Sequence, residues 1–180
     1  MGTSEWVSTS MPYLTPREQG QTDAWGAEAA ARGRRGSQRV VHAGEIAALP
    51  EIAELLGIAE GENVVVRRRV MYVDDAPCEL TDTYYPVHIA RGTRLAETAR
   101  IPGGAISLLA GLGYVGARVQ EDVVARMPSR EEREALRTGD DEPVLQLTRL
   151  TLDAHDRPIQ VDRMAMPGRH QRLRYEIKIG

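Results

Sequence analysis

The chain has 180 residues and a formal net charge of −3, with 42% hydrophobic and 27% charged residues. This length has room for one domain and a tail, and the composition is typical of a globular protein in water. The small negative charge gives no field that would draw the chain to nucleic acid. No apolar run approaches the roughly 20 residues that span a bilayer. DNA binding by these residues alone and membrane insertion are therefore both disfavoured.

The amino terminus carries no targeting signal. It has neither a basic nor an apolar signal-peptide region, and Trp6 occupies a position where N-myristoylation requires Ser or Thr. We therefore expect a cytoplasmic protein. The single cysteine, Cys78, cannot form an internal disulfide, and its apolar neighbours favour a small buried side chain.

Residues 1–39 are rich in Pro, Gly and small polar residues, which predicts a flexible tail or linker. One short helix is predicted over residues 23–32, capped by Thr22 and ended near Gly33. The basic run at residues 32–36 could touch phosphates if another element placed it near DNA, but a solvated linker explains it more simply. The compact domain is predicted over residues 40–180.

The domain begins with a helix and a hairpin. Residues 49–56 place their apolar side chains on one helical face, and Gly57 is in position to end this helix. Two strands, residues 63–73 and 77–85, flank a predicted three-residue loop of Asp74, Asp75 and Ala76. This register pairs Arg67 with Thr83, Arg69 with Thr81 and Met71 with Glu79 on a polar face. The other face is predicted to be core, with Arg68 opposite Asp82 and the apolar residues Val66, Val70, Tyr72, Cys78, Leu80 and Tyr84.

Helices follow singly along the rest of the chain, between long strands. Gly103 and Gly104 precede a predicted helix over residues 105–112, and Ser129 with Glu132 fits a capping box that begins a second helix over 129–137. Strands are predicted over residues 115–127, 143–152, 158–166 and 170–179. Strands joined by hairpins, without βαβ alternation, indicate a mainly antiparallel sheet of the α+β class.

No catalytic or metal-binding motif is present in the sequence. The four histidines are scattered at spacings unsuited to a metal, and no nucleophile elbow, Walker loop, Rossmann fingerprint or zinc motif occurs. We therefore expect a binding protein that is not an enzyme and uses neither cofactor nor metal.

Two features could hold a ligand. Arg67 and Arg69 point to one side of a strand, where paired guanidinium groups can grip an anion, although an edge charge and an ion pair with Glu79 would also explain them. Gly103 and Gly104 offer backbone donors at a helix start, although they could form only a flexible turn. Together they predict one anion-binding pocket, to which hydroxyl groups are added by Thr81, Thr83 and Tyr85.

Several spaced blocks of the chain resemble one family. The hairpin VVVRRRVMYVDDAPCELTDTYYP resembles the signature of the UTRA domain, and GGAISLLAGLGY, RVQEDVVARMPSREEREAL, EPVLQLTRLTLD and DRPIQV follow in that family's order and spacing. The resemblance runs from about residue 40 to the C-terminus. It implies a chorismate lyase-like fold and the effector-binding, dimerising half of a GntR regulator of the HutC subfamily.

The resemblance also implies an atypical pocket. Arg69 corresponds to the first of two strand arginines that hold the ligand's anion in sugar-phosphate sensors, but Met71 stands at the second. Thr81 and Gln160 replace two acidic residues, and Gly104 replaces the serine that opens the central helix. The implied ligand is a small molecule that is less charged, bulkier or more apolar than a sugar phosphate.

The family places a winged helix-turn-helix before the linker, and residues 1–38 contain no such element. The resemblance therefore implies a homodimer that reaches DNA through an attached or partner winged helix-turn-helix. Two other functions remain open. One is a lyase-like enzyme in which Arg67 and Arg69 bind a dicarboxylate and Glu79 acts as acid or base, and the other is a purely structural dimerisation module.

Overall fold

The computed structural model describes residues 6–17 and 23–177. Among these residues, six strands form one antiparallel sheet in the order β2-β3-β4-β7-β6-β5, and β1 pairs in parallel with β8. The strands are β1 (Trp6–Ser8), β2 (Gly36–Ala47), β3 (Asn63–Val73), β4 (Ala76–Pro86), β5 (Arg118–Arg126), β6 (Val144–Leu152), β7 (Pro158–Pro167) and β8 (Gln171–Leu173). The helices are α1 (Ala24–Ala31), α2 (Pro50–Leu56), α3 (Val87–Ala90), α4 (Ala105–Gly111) and α5 (Arg130–Leu136), with 3₁₀ turns at Met11–Tyr13 and Arg94–Ala96. The predicted α+β class is confirmed.

The turn between β3 and β4 has two residues, so the predicted three-residue loop is wrong. Asp74 and Asp75 both have positive φ, 48° and 68°, as a type I′ turn requires. The register then shifts, because Tyr72 pairs with Pro77 while Met71 pairs with Glu79. Cys78 is therefore the extra residue of a β-bulge. The bulge restores the register that was predicted for the rest of the hairpin.

The bulge also moves Cys78 to the other face of the sheet. The side chain packs beside Met71 and Val73, instead of joining the cluster of Val70 and Leu80 in which the sequence placed it. A strict alternation along β4 assigns the wrong face to any residue beyond a bulge, because each extra residue reverses the side-chain direction.

One face of the large sheet is covered by α2 and α5. Val66 and Tyr84 lie in an apolar cluster with Ile52, Ala53 and Leu56 of α2, and Arg68 pairs with Asp82 on this face at 2.7 Å. Helix α2 ends at Gly57, whose φ of 65° is the left-handed cap predicted for it. The capping box of Ser129 and Glu132 is likewise present at the start of α5.

The segment predicted to be a flexible tail is packed where the structure describes it. The rings of Trp6 and Trp25 are 5.0 Å apart, and Trp25 Nε1 donates to the Tyr72 carbonyl oxygen at 3.0 Å. Asp23 caps α1 by accepting from Gly26 N at 2.9 Å, so the helix begins one residue later than predicted. Thr22, the predicted cap, lies outside the described residues. We call residues 6–17 the N-terminal arm.

In the C-terminal part of the chain, two strands are shorter than the sequence predicts. β5 covers Arg118–Arg126, which is shorter than the predicted strand, and β8 covers only Gln171–Leu173. The described residues end at 177, so the last two residues of the predicted strand 170–179 lie outside them. In the described part of the chain, no helix is long and apolar enough to cross a membrane.

Candidate functional site

A row of five polar side chains crosses the face of the sheet opposite α2 and α5. The cross-strand register joins Arg67 to Thr83, Thr83 to Asp162, Asp162 to Arg149, and Arg149 to Glu121. Thr83 Oγ1 donates to Asp162 Oδ1 at 2.7 Å, and Arg149 Nε donates to Glu121 Oε1 at 2.6 Å. We call these residues the polar row. It gives this face of the sheet a hydrogen-bonded and charged floor.

A cavity of about 150 Å³ lies on this floor, between the sheet, α4, α1 and the N-terminal arm. Eight of the ten residues predicted from the sequence line it, and they come from β3, β4, β7 and the start of α4. These are Arg69, Met71, Glu79, Thr81, Tyr85, Gly103, Gly104 and Gln160. The sheet adds an apolar patch of Leu147, Met164 and Met166. The geometry thus joins the polar face of the hairpin and the glycine-led helix in one cavity.

Arg67 and Thr83 do not line the cavity. Arg67 is only 4% exposed, and its guanidinium donates to the carbonyl oxygens of Glu97 and, at 2.7 Å, Ala99. Burial and the nearby charge of Arg69 lower the pKa of Arg67. Arg67 therefore holds the segment that leads into α4, and it is not free to grip a ligand.

Of the two predicted arginines, Arg69 is the one that lines the cavity. Its Nη2 donates to Thr83 Oγ1 at 3.0 Å, and its Nη1 makes a long contact of 3.5 Å with Gln38 Oε1. Its Nε is buried without a hydrogen-bond partner in the described structure. The charge of Arg69 also lowers the pKa of Glu79, although burial of Glu79 acts more strongly and raises that pKa overall. A buried donor without an acceptor is the position where a ligand acceptor would bind.

Gln160 offers a hydrogen-bond acceptor, whereas Arg69 offers a donor. Its Nε2 donates to Asp162 Oδ2 at 2.6 Å, whereas its Oε1 is buried without a partner in the described part of the chain. Glu79 Oε1 accepts from the Thr81 hydroxyl. Burial also raises the pKa of the Tyr85 hydroxyl above its ordinary value, which keeps that group a neutral donor. The cavity wall therefore presents a donor at Arg69 and an acceptor at Gln160.

The glycine pair differs from the predicted anion site. Gly103 and Gly104 have φ of 76° and 86°, which favours glycine at both positions. The Gly104 N–H already donates to the Ile101 carbonyl oxygen at 3.1 Å, and the Gly103 carbonyl oxygen accepts from Ser107 Oγ at 3.0 Å. The glycines therefore shape the entry to α4 and bring its first turn to the cavity, while one predicted backbone donor is already occupied.

Sequence reasoning missed several polar residues of the site, among them Asp162, Arg149, Ser10 and Arg17. Asp162 and Arg149 lie on inward positions of β7 and β6 and are 4% and 7% exposed. A charged residue at an inward position of a predicted strand was the available signal for both. Ser10 and Arg17 line the cavity from the N-terminal arm, and no pattern in the sequence connects that arm to the sheet.

The fold and cavity define a small-molecule-binding domain, and the solved structures with this fold include ligand-binding domains of regulators. The effector domain of PhnF from Mycobacterium smegmatis matches with a TM-score of 0.74 and 21% identity, covering 86% of this chain and 94% of that one. The ligand-binding domain of a GntR-family transcriptional regulator from Bordetella bronchiseptica matches with a TM-score of 0.70 and 26% identity, covering 91% and 95%.

Sequence relatives agree with the structural comparison. An HTH-type transcriptional regulator of Streptomyces coelicolor is 30% identical over 126 residues, which are 68% of this chain and 47% of that protein. The regulator GgaR of Escherichia coli K12 is 24% identical over 110 residues, 61% of this chain and 42% of that protein. The chain spans about half the length of the curated relatives it matches.

The model of the UTRA domain matches residues 31–172. The chain therefore belongs to the UTRA domain family. The proteins that it resembles are transcription regulators and their ligand-binding domains. The resemblance described from the sequence is confirmed. The family match begins within α1, so it includes part of the segment that the sequence assigned to a tail.

Proposed function

We propose that a small-molecule effector binds in the cavity between β3, β4 and α4, and that its binding changes the DNA affinity of a winged helix-turn-helix. The observation that carries this proposal is the pair of unpartnered polar atoms, Arg69 Nε and Gln160 Oε1, on the wall of one cavity. Buried polar groups are almost always hydrogen-bonded. An effector that supplies one acceptor and one donor would satisfy both.

The lining restricts the chemistry of this effector. Met71 stands where the resemblance implies a second arginine, and the same cavity is lined by the apolar patch of Leu147, Met164 and Met166. Methionine side chains adapt to irregular apolar ligands. The effector is therefore a compact molecule with an apolar body, a hydrogen-bond acceptor for Arg69 and a hydrogen-bond donor for Gln160.

A thermal-shift screen of small acids, amides and amino acids tests this function, since a ligand that binds only the folded chain raises its melting temperature by mass action. Arg69→Ala is expected to abolish the shift that each positive compound gives to the native chain. Arg91→Ala is the matched control, because Arg91 is exposed and pairs with Glu45 at 2.6 Å, away from the cavity. Equal shifts in both variants would disprove the assignment of the cavity.

DNA control and dimerisation are part of the same proposal. Coupling requires that the effector bind two states of the regulator with different affinities. We propose that the chain acts as a homodimer in the cytoplasm and reaches DNA through a winged helix-turn-helix. The names of its relatives, which are HTH-type transcriptional regulators, support the helix-turn-helix. Sedimentation equilibrium of the chain with and without the effector measures the dimer, and a dimer constant unaffected by the effector would contradict coupling through dimer geometry.

We further propose that the domain binds its effector without converting it. Glu79 is the carboxyl group best placed for acid or base chemistry, but it is engaged by the Thr81 hydroxyl. Incubation of each positive compound with the purified chain, followed by mass spectrometry, should recover the compound unchanged. Turnover that is lost in Glu79→Gln would favour an enzyme instead.

A further inference from the structure

The N-terminal arm forms the outer wall of the cavity. Ser8, Ser10, Tyr13 and Arg17 of the arm line it, whereas the sheet supplies its floor. The beginning of the arm is fixed by the parallel pairing of β1 with β8. This pairing is extended at one end by Trp6 N, which donates to the His170 carbonyl oxygen at 2.8 Å.

The hydroxyl groups of Ser10 and Ser107 attach the remainder of the arm to opposite sides of the cavity, and the Tyr13 hydroxyl donates to Glu28 of α1. Ser10 Oγ donates to Glu121 Oε2 at 3.0 Å and accepts from Arg149 Nη2 at 3.1 Å, which joins the arm to the polar row. Arg17 N donates to Ser107 Oγ at 3.0 Å, which joins it to α4. The arm therefore bridges the cavity from β5 and β6 to α4, and each of these two attachments rests on one serine hydroxyl.

Two guanidinium groups approach the cavity from different walls. Arg69 belongs to the sheet and Arg17 to the arm, and both line the cavity. The Nε of each is buried without a hydrogen-bond partner among the residues that the structure describes. An anion placed between them would accept a charge-assisted hydrogen bond from each. Such an anion would connect the arm to the sheet.

We propose that the N-terminal arm is a strap that opens to admit the effector, and that an anionic group of the effector, held between Arg17 and Arg69, keeps the strap closed. This inference rests on the proposed binding of an effector in the cavity. It adds a regulatory consequence, because occupancy of the cavity would then fix the position of the chain that leads into the domain.

The methionines provide a measure of strap opening that needs no effector. Met71, Met164 and Met166 line the cavity and are 5%, 9% and 2% exposed, whereas Met11 and Met127 are 69% and 52% exposed. Hydrogen peroxide converts accessible methionine to its sulfoxide. Mass spectrometry of peptides should therefore show fast oxidation at Met11 and Met127 and slow oxidation at the three cavity residues.

The strap is tested with Ser10→Ala combined with Ser107→Ala, which removes the two serine attachments and leaves the bond from Tyr13 to Glu28 in place. We expect the cavity methionines to oxidise about tenfold faster, because each lost hydrogen bond shifts the opening equilibrium severalfold, while Met127 keeps its rate. Thr15→Ala is the matched control, since in the described structure the Thr15 hydroxyl bonds to the Met11 carbonyl oxygen within the arm itself. Equal oxidation rates in the two variants would overturn the strap. The strap would also be overturned if amide exchange of β3 in the double serine variant rose as much as oxidation of the cavity methionines, because the whole fold would then be loosening.

The anion is tested with benzoate, whose size suits a cavity that is about as large as one known to take up benzene, and with benzamide as its uncharged counterpart. Benzoate is expected to slow oxidation of the cavity methionines at least threefold in the native chain, and benzamide is not. Arg17→Gln should lose this protection. Protection that is equal for both compounds, or unchanged in Arg17→Gln, would overturn the anion bridge. The result with the serine variants would remain valid, because that test uses no anion. A thermal shift produced by an uncharged effector would likewise still support the proposed effector binding.

Discussion

The carboxylate of Asp162 fixes the orientation of the Gln160 side chain. A carboxylate only accepts hydrogen bonds, so the contact of 2.6 Å between Gln160 and Asp162 Oδ2 must be made by the amide nitrogen, and the amide oxygen is left for the cavity. The same carboxylate accepts from Thr83 through Oδ1. The chain thus keeps an acidic group in this part of the site, two residues from the position at which the resemblance implies one.

Asp162→Ala is expected to lower the free energy of unfolding by roughly 2 to 5 kcal/mol. The change leaves the buried Thr83 hydroxyl and the Gln160 amide without their acceptor, and each orphaned polar group costs about 1 to 3 kcal/mol. Urea denaturation measures the loss. Asp122→Ala on exposed β5 is the control and should stay within about 0.5 kcal/mol of the native chain. A loss no larger than in this control would show that the polar row is not a stabilising feature.

Arg67→Met should release the segment that precedes α4. Methionine keeps much of the apolar stem but cannot donate to the carbonyl oxygens of Glu97 and Ala99. We expect destabilisation of about 2 to 4 kcal/mol and faster amide exchange over residues 94–104. Arg91→Met, at an exposed ion pair, should cost less than about 1 kcal/mol. Unchanged exchange over 94–104 would contradict the clamp assigned to Arg67.

Stability should respond to pH through Glu79. Burial raises its pKa, so the folded chain holds this proton more tightly than the unfolded chain. The contribution of Glu79 is therefore complete below the unfolded-state pKa and is lost as pH rises through the folded-state pKa. We expect the stability of Glu79→Gln relative to the native chain to increase as the pH rises above about 4, measured by urea denaturation at each pH.

Asp153 provides a control of opposite sign for this pH experiment. Backbone hydrogen bonds from Arg157 and His155 lower the pKa of Asp153 to about 2. Its contribution is therefore present above the unfolded-state pKa and is lost as pH falls, so Asp153→Asn should differ from the native chain least at low pH. A difference between Glu79→Gln and the native chain that does not vary with pH would show that Glu79 ionises in its ordinary range.

The two aspartates of the β3–β4 turn should respond differently to glycine. Both have positive φ, which glycine adopts without cost. Asp74 accepts from Arg35 N at 2.8 Å and from Arg34 Nε at 2.7 Å, whereas the ion pair of Asp75 with Arg35 is exposed. Asp74→Gly should therefore destabilise by about 1 kcal/mol, and Asp75→Gly should be neutral or stabilise by up to about 1 kcal/mol. Thermal unfolding measures both, and equal effects would refute the distinction.

Much of the sheet could be predicted because its residues carry their own signals. Valine-rich strands, the capping box at Ser129 and the left-handed cap at Gly57 each depend on a few neighbouring residues. The register of Arg69 with Thr81 was also predicted correctly, although for an incomplete reason. The shorter turn and the bulge at Cys78 compensate for each other, and neither has a distinctive sequence signal.

The cavity could be predicted only from the hairpin and α4. Arg67 and Arg69 look equivalent in the sequence, and only the carbonyl groups of a later segment decide that Arg67 is a clamp. The N-terminal arm could not be placed, because its contacts with Glu121, Arg149 and Ser107 join residues about 90 or more positions apart. Such contacts arise from tertiary packing, which overrides the Pro- and Gly-rich composition of the segment.

The polar row also bears on how the strands find one another during folding. Five strands each contribute one member, from Arg67 on β3 to Glu121 on β5. A slip of one residue in any strand would turn its member to the other face and leave a neighbouring charge buried beside an apolar group, at a cost of several kcal/mol. Misaligned sheets would therefore be penalised as they form. The polar row thus also serves as a check on strand alignment, before any effector is present.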